Sequence, residues 1–367
     1  MALALLVSAT LILLSPSSTV AQQPGRIPTA VLVSAPTVRL PGMVDSNSPA
    51  VWDLVNGRSL LSIMTSFNGQ PSLATGSYLT GMGQAEPVTF VTHPGNGVWM
   101  EAVVADEDGT WYGYYHNEVP ATLCGRPDRT VPRIGAARSQ DRGHSWEDLG
   151  IVLEAPPGSL ACNTPNRYFV GGVGDVGVIL DKDSVNLYLY FSEYSRLPSA
   201  QGVAVARLLW AGRDEPVGRT DVWVDGIWQP AEHLLSATDG AQLLESWSYP
   251  AGTPLIPTTR PWHDTDWVND AFWGATVHWN EHLQRYVMLL NRAKDEAFSQ
   301  EGIYVSFAPA LDDPRLWSPP QKILTGGRWY PQVMGLDPGV GTDRIAGARA
   351  RFFMSGVSNA YIDFGYW

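Results

Sequence analysis

The sequence predicts an all-β protein built as a five-bladed β-propeller, and three observations predict it. Short runs of alternating apolar and polar residues, punctuated by 36 Gly and 28 Pro, dominate after residue 44 and leave no room for long helices. A unit made of a short apolar strand, a polar turn and an aromatic-rich strand recurs five times. The intervals between copies hold further hairpins, which would complete four-stranded blades rather than the single turns of a solenoid.

The elements follow in order. Residues 1–21 form an apolar run, a polar stretch and the small pair Val20-Ala21, which predicts a signal peptide cleaved after Ala21. Residues 22–367 then form a single propeller domain. The five copies are SPAVWDLVNGRSLLSIMTSF from Ser48, EAVVADEDGTWYGYYHNE from Glu101, DVGVILDKDSVNLYLYFSEY from Asp175, GATVHWNEHLQRYVMLLNRA from Gly274, and a more degenerate segment from Pro331. Asp53, Asp106, Asp181, Asn280 and Asp337 stand beside the expected chain reversals, where short polar side chains satisfy turn amides, so a structural role is expected for them. Second hairpins are read in RIGAARSQDRGHSWEDLGIVL, in GVAVARLLWAG with TDVWVDGIWQ, and in EGIYVSFAPALDDPRLWSPPQKIL. The mixed stretch near 229–270 is expected to hold a short helix over the central opening.

Composition narrows the function. The chain is 44% hydrophobic and 16% charged, enough apolar material for a large core. Its net charge of −12 argues against nucleic acid or anionic lipid, both of which need a cationic footprint. No apolar run after the N-terminal one approaches the roughly 18 residues of a membrane helix, so no membrane span is expected and the mature chain is expected to be periplasmic or secreted. In that compartment Cys124 and Cys162 are expected to form one disulfide, closing a loop of about 40 residues. Neither belongs to a metal-binding pattern, and no transition metal or other cofactor is expected, a structural calcium being compatible with the sequence but not indicated by it. Trp, Tyr and Phe are abundant; most are expected in strands and core, and the remainder can stack on sugar rings. The expected partner is a carbohydrate, and a monomer is expected.

In a propeller the first strand of each blade lines the central channel, so residues near the starts of those strands converge at one mouth. That selects Asp45, Glu101, Asp175 and Asp270 as candidate catalytic residues. Glu101 opens an apolar strand, an awkward place for an unpaired carboxylate. Asp175 lies between Gly174 and Gly177, where a bend or close backbone approach is expected. Carboxylates crowded together cannot all stay ionised, which supplies the protonated acid and ionised partner of glycoside hydrolysis. His116, Glu118, Arg167, Trp273, Trp329 and Tyr330 are the candidate substrate contacts.

The segment Asp45-Ser46-Asn47-Ser48-Pro49-Ala50-Val51 resembles the opening D-P-x-[VI] strand of glycoside hydrolase family 43 and the related invertase-like enzymes, with two residues inserted. Gly174-Asp175-Val176-Gly177-Val178 resembles their third-blade I-D-P strand. The resemblance implies a five-bladed glycosidase with Asp45 as base and Asp175 as the carboxylate that orients the acid. That family draws its acid from E-[GA]-P at the start of the fourth blade, where this chain reads Trp273-Gly274-Ala275-Thr276, so Asp270 or Glu101 would have to substitute. The expected function is an exported glycoside hydrolase acting on a neutral oligo- or polysaccharide. Two alternatives stand beside it. The first is a non-catalytic carbohydrate-binding propeller. The second is a sialidase-like enzyme: Ser139–Trp146 (SQDRGHSW) matches the Asp-box pattern S-x-D-x-G-x-[ST]-W, and Arg26-Ile27-Pro28 resembles an R-I-P opening. An Asp box is a turn device, and no catalytic role is expected for Asp141.

Overall fold

The computed structural model describes residues 26–154, 159–233, 247–248, 252–260, 262–263 and 269–367. The expected signal peptide and much of the expected helix near 229–270 lie outside them. Five sheets of four or five strands are arranged as blades. Blade I is built from Ala50–Val55, Arg58–Phe67, Gln70–Gly76 and Glu86–Pro87. Blade II comprises Gly97–Ala105, Trp111–Ala121, Arg126–Ser139 and Ser145–Leu153, with Thr89–Thr92 added parallel at its outer edge. Blade III runs through Val173–Leu180, Asn186–Tyr194, Gln201–Leu209, Thr220–Val224 and Ile227–Pro230. Blade IV has Phe272–Asn280, Arg285–Ala293, Gln300–Ala308 and Gln321–Thr325, with the two-residue strand Ile345–Ala346 parallel to its innermost strand. Blade V consists of Pro331–Gly335, Arg349–Met354, Val357–Tyr366 and, on its outside, Pro28–Arg39. Each repeat copy read from the sequence coincides with the first two strands of one blade.

Burial explains why the blades form a closed ring. Successive side chains of a strand point to opposite faces, and both faces of each blade meet a neighbour. Five apolar clusters fill the five seams: Val51 and Met64 against Met100 and Trp111 between blades I and II, Tyr114 and Ile134 against Val176 and Leu189 between II and III, Tyr190 and Val205 against Val277 and Met288 between III and IV, Val287 and Phe307 against Val333 and Phe352 between IV and V, and Ala50 and Ile63 against Met334 and Phe353 between V and I. The last seam closes the circle, and Pro28–Arg39 zips antiparallel onto Val357–Tyr366 to complete blade V. Among the described residues the helical content is confined to four three-residue 3-10 turns, and no helix is long and apolar enough to cross a membrane.

Turn chemistry follows the sequence in most places. Asp181 accepts the backbone N–H groups of Val185 (2.8 Å) and Asn186 (3.0 Å), and Asp106 accepts that of Glu107. Asp53 does not sit in a turn: it lies inside the inner strand of blade I opposite Leu60, and the reversal is made by Asn56 and Gly57, both with positive φ, as a two-residue hairpin requires. In the hairpin 139–146 of blade II, Asp141 accepts the N–H (2.8 Å) and hydroxyl (2.6 Å) of Ser145, and the buried Trp146 donates its indole N–H to the Gly143 carbonyl. Cys124 and Cys162 are bonded, tying the end of the second strand of blade II to the loop that leads into blade III.

Candidate functional site

The innermost strands of blades II, III and IV each carry an extra residue at about the same level of the channel. In blade II, Met100 pairs with Tyr115 and Ala102 with Tyr114, so Glu101 is the extra residue. Blade III sets Gly174 opposite Ser192 and Gly177 opposite Tyr190, which leaves Asp175 and Val176 out of register. Blade IV sets Trp273 opposite Asn291 and Thr276 opposite Leu289, leaving Gly274 and Ala275. A bulge breaks the ladder locally and re-aims side chains. Here it turns Glu101 and Asp175 into a pocket at the channel mouth.

That pocket is narrow, about 30 Å³, and is lined by Asp45, Trp99, Glu101, His116, Glu118, Phe169, Asp175 and Tyr330. Asp45 comes from the segment ahead of blade I, its N–H bound to the Ser66 carbonyl at 2.8 Å. Like Glu118, it is half-buried, whereas Glu101 and Asp175 are buried. Burial first, and then the charges of Asp175 and Glu118, raise its pKa against the pull of His116. Glu101 is 3% exposed and accepts the Asn47 N–H on Oε2 at 2.9 Å. Burial and the neighbouring Asp175 push its pKa well above the usual carboxylate range, and one backbone hydrogen bond does not offset them. Both effects favour the protonated form of Glu101.

Asp175 has φ +42°, the left-handed region that an aspartate enters only when its surroundings hold it there. The holding groups are explicit. The Tyr194 hydroxyl donates to Oδ2, the Tyr330 hydroxyl lies 3.4 Å from Oδ1, and the Asp175 N–H reaches His116 Nδ1 at 3.0 Å. Burial raises the pKa of Asp175, while His116 and the Tyr194 hydroxyl pull it back. Glu118 accepts from His116 Nε2 at 3.2 Å and from the Thr130 hydroxyl at 3.1 Å. The pocket therefore combines a buried carboxyl group whose protonated form is favoured, a half-buried carboxylate, and a carboxylate clamped by two phenols. This arrangement can protonate one oxygen of a bound substrate while a second carboxylate acts on the opposite side.

Five of the residues expected at the site from sequence (Asp45, Glu101, His116, Glu118 and Asp175) meet here, with Tyr330 at the wall. Four others stand elsewhere. Asp270, one of the two candidate acids, is a structural cap: it accepts from the hydroxyls of Thr258 (2.7 Å) and Thr259 (2.5 Å) and the N–H groups of Thr259 and Arg260, with Arg292 at 3.5 Å. Those hydrogen bonds outweigh its burial and lower its pKa to about 2, so it is ionised at any pH at which a general acid must hold a proton. Trp273 is 2% exposed and packs behind the site on Phe298, Trp329 and Tyr330 rather than facing a ligand. Trp329 is half-buried and donates its indole N–H to the Phe298 carbonyl. Arg167 is exposed and paired with Glu296 at 3.0 Å. No arginine lines the pocket, so the arginine cluster that a sialidase-like site needs is not at this mouth among the described residues.

Sequence reasoning missed Trp99, Phe169 and Tyr194. Tyr194 was within reach: it follows Ser192 at strand spacing, on the face that looks toward Asp175. Phe169 arrives on the disulfide-tied loop, which has no periodicity to read. A wider groove of about 630 Å³, lined by residues 37–39, 41–42, 79–80 and 82–85, holds one titratable side chain, Arg39, and offers no acid–base pair.

No family description matches the chain, and no curated protein does. Among solved structures, an endo-arabinase from Bacteroides thetaiotaomicron is similar over 92% of this chain and 97% of that one, at 11% identity and a TM-score of 0.49. An α-L-arabinanase from Penicillium chrysogenum is similar over 88% and 80%, at 12% identity and 0.46, and an α-L-arabinofuranosidase from Lactobacillus brevis over 86% and 89%, at 11% and 0.46. These values are low, and the five-bladed architecture stands on the sheets and seams described above.

Proposed function

We propose that the chain is an exported glycoside hydrolase of the family 43-like, five-bladed kind, acting on a neutral oligo- or polysaccharide. The observation that carries this reading is the convergence of Asp45, from the segment ahead of blade I, Glu101 of blade II and Asp175 of blade III in one pocket where burial and the charge of Asp175 favour the protonated form of Glu101. In this reading Glu101 gives its proton to the glycosidic oxygen as the bond to the anomeric carbon breaks. Asp45, ionised, acts on the other side as base toward water or as nucleophile. Asp175 orients the acid and stabilises the positive charge that develops on the sugar ring. Neutral sugar suits a pocket with four carboxylates and no arginine, since an anionic ring would be repelled. Export is supported by the apolar N-terminal run and by the disulfide, which persists in oxidising compartments.

The test is hydrolysis by purified residues 22–367 of aryl glycosides, arabinans, galactans and xylans, with Glu101→Gln and Asp175→Asn alongside. Cleavage by the parent and its loss in both variants is the expected result. Activity should fall on the acid side as Asp45 is protonated and on the alkaline side as Glu101 loses its proton, each at a pH above that of an ordinary carboxylate. The second reading, a binding propeller, draws on one observation: the blade IV bulge presents Gly274, with no carboxylate. Folded protein that retains a glycan and cleaves none would favour it.

A further inference from the structure

We propose that His116 is a positioning residue: a neutral imidazole, protonated on Nε2, that fixes the backbone of Asp175 through Nδ1 and orients Glu118 through Nε2. What Asp175 does chemically rests on the glycosidase reading; the seat of the ring does not. His116 is 3% exposed on the second strand of blade II and reaches across the seam to the bulge of blade III. The Asp175 N–H points at Nδ1 from 3.0 Å. A ring nitrogen that accepts an N–H carries no proton of its own, so the proton is on Nε2, 3.2 Å from Glu118 Oε1. The other Glu118 oxygen takes the Thr130 hydroxyl, so one chain of hydrogen bonds runs from Thr130 through Glu118 and His116 to the main chain of Asp175.

Three further features mark this as a built seat. The ring is confined by Trp99, edge-on at 5.6 Å, and by Phe169 at 5.9 Å. A Cβ on Gly174 would stand 2.4 Å from Nδ1, so the imidazole approaches the strand as it does only because residue 174 is glycine. The bulge removes the Asp175 N–H from the ladder, and a buried donor left without a partner costs about 1–3 kcal/mol. His116 supplies that partner at a residue whose φ is already unfavourable.

The groups around the ring are all acidic: Glu118 on its own strand, Asp175 on blade III, Asp45 ahead of blade I, and Glu101 on the adjoining strand of blade II. Burial resists charging of the ring, but the Glu118 hydrogen bond and the charges of Asp175, Glu118 and Asp45 outweigh it and raise its pKa. A proton taken at Nδ1 would face the Asp175 N–H head-on and release that residue. The same carboxylates that prepare the site for chemistry thus set its acid sensitivity through His116.

The experiment reads the ring and the amide directly, on residues 22–367. Nitrogen-15 NMR of histidine-labelled protein, taken on the alkaline side of the His116 titration, should show the neutral ring protonated on Nε2 and unprotonated on Nδ1. His116→Asn keeps an acceptor where Nδ1 stands, and His116→Gln keeps a donor where Nε2 stands. Hydrogen exchange of the Asp175 amide should speed up roughly tenfold in His116→Gln and little in His116→Asn. On a cleaved glycoside, kcat should fall on the order of 100-fold in His116→Gln and about tenfold less than that in His116→Asn. The acid limb should lose its His116 component in both. A proton on Nδ1, an unchanged Asp175 amide in His116→Gln, or equal kcat losses in the two variants would overturn the proposal. Should the parent cleave no glycoside, the glycosidase reading fails, while ring protonation and amide exchange still decide the role of His116, the former without any variant.

Discussion

The inner strands of blades III and IV use the same backbone device and put it to opposite ends. Both bulge by one residue where the channel opens, and the blade IV bulge is tied to blade III: the Gly274 N–H donates to the Ser192 hydroxyl, on the strand that backs Asp175. In blade III the freed position carries a carboxylate held by two tyrosines and a histidine. In blade IV it carries a glycine at φ +58°, and a Cβ there would stand 2.8 Å from the Asn291 amide nitrogen. The bulge is therefore shared by the inner strands of blades II, III and IV, whereas those of blades I and V pair in unbroken register. The chemistry is a property of the side chain placed on it, and the pocket draws its carboxylates from the blade I to III side of the channel.

Experiments can press on that contrast. Glu101→Gln removes the buried proton from the acidic side and should lower kcat by roughly 10²–10⁴-fold. The loss should be smallest on substrates whose leaving group needs no proton; equal loss on good and poor leaving groups would assign Glu101 another role. Gly174→Ala alters the bulge of blade III without touching a carboxylate. By displacing His116 it should cost on the order of 100-fold in kcat, with KM less affected. Full activity would show that His116 can move without consequence. Gly274→Glu adds a carboxylate to the silent bulge. It should not restore a Glu101→Gln protein, and its positive φ and the contact with Asn291 should destabilise the fold by about 1–3 kcal/mol, read as a lowered Tm. Rescue would mean that blade IV retains a working acid position. Asp270→Asn should leave kcat within about twofold and cost on the order of 1 kcal/mol, the pKa shift being discounted for partial solvent exposure. The sign is definite. A carboxylate whose pKa drops from 3.8 to about 2 on folding stabilises above pH 3.8, and that stabilisation is lost as pH falls toward 2. The difference between parent and variant should therefore close in acid.

Much of the ring was legible in the sequence because two-residue alternation and turn chemistry are local signals. The five copies are the inner strand pairs of five blades, and SQDRGHSW is a hairpin closed by its own aspartate. Glu101 and Asp175 could be picked out because a carboxylate within an apolar strand is costly unless its surroundings hold it, although Glu101 lies inside the strand Gly97–Ala105 and does not open it as the sequence suggests. Asp45 could be picked out by its place just ahead of the first blade. Asp270 has the same signature for a different reason: the hydroxyls and amides that hold it belong to Thr258, Thr259 and Arg260, and an irregular segment announces no such partnership. Trp273 shows the other limit. It adjoins the Gly274-Ala275 bulge, and an extra residue reverses which face each later side chain takes, so alternation cannot be read across it. The approach of His116 to the Asp175 amide joins residues 59 positions apart through a glycine contact, a tertiary fact with no local trace.

The outermost strand of blade V also bears on how the protein meets mechanical load. Pro28 lies directly opposite Tyr366, and the two strands run antiparallel from that pair inward. A pull that separates these two residues acts on one hydrogen-bonded pair at a time, as on a zipper, whereas a pull along the strands would have to shear the whole ladder at once. Tethered by residues near these two positions, the ring would open at its seal under small force while the other four blades stayed folded. Tethered through two turns of different blades, the same molecule should hold far longer.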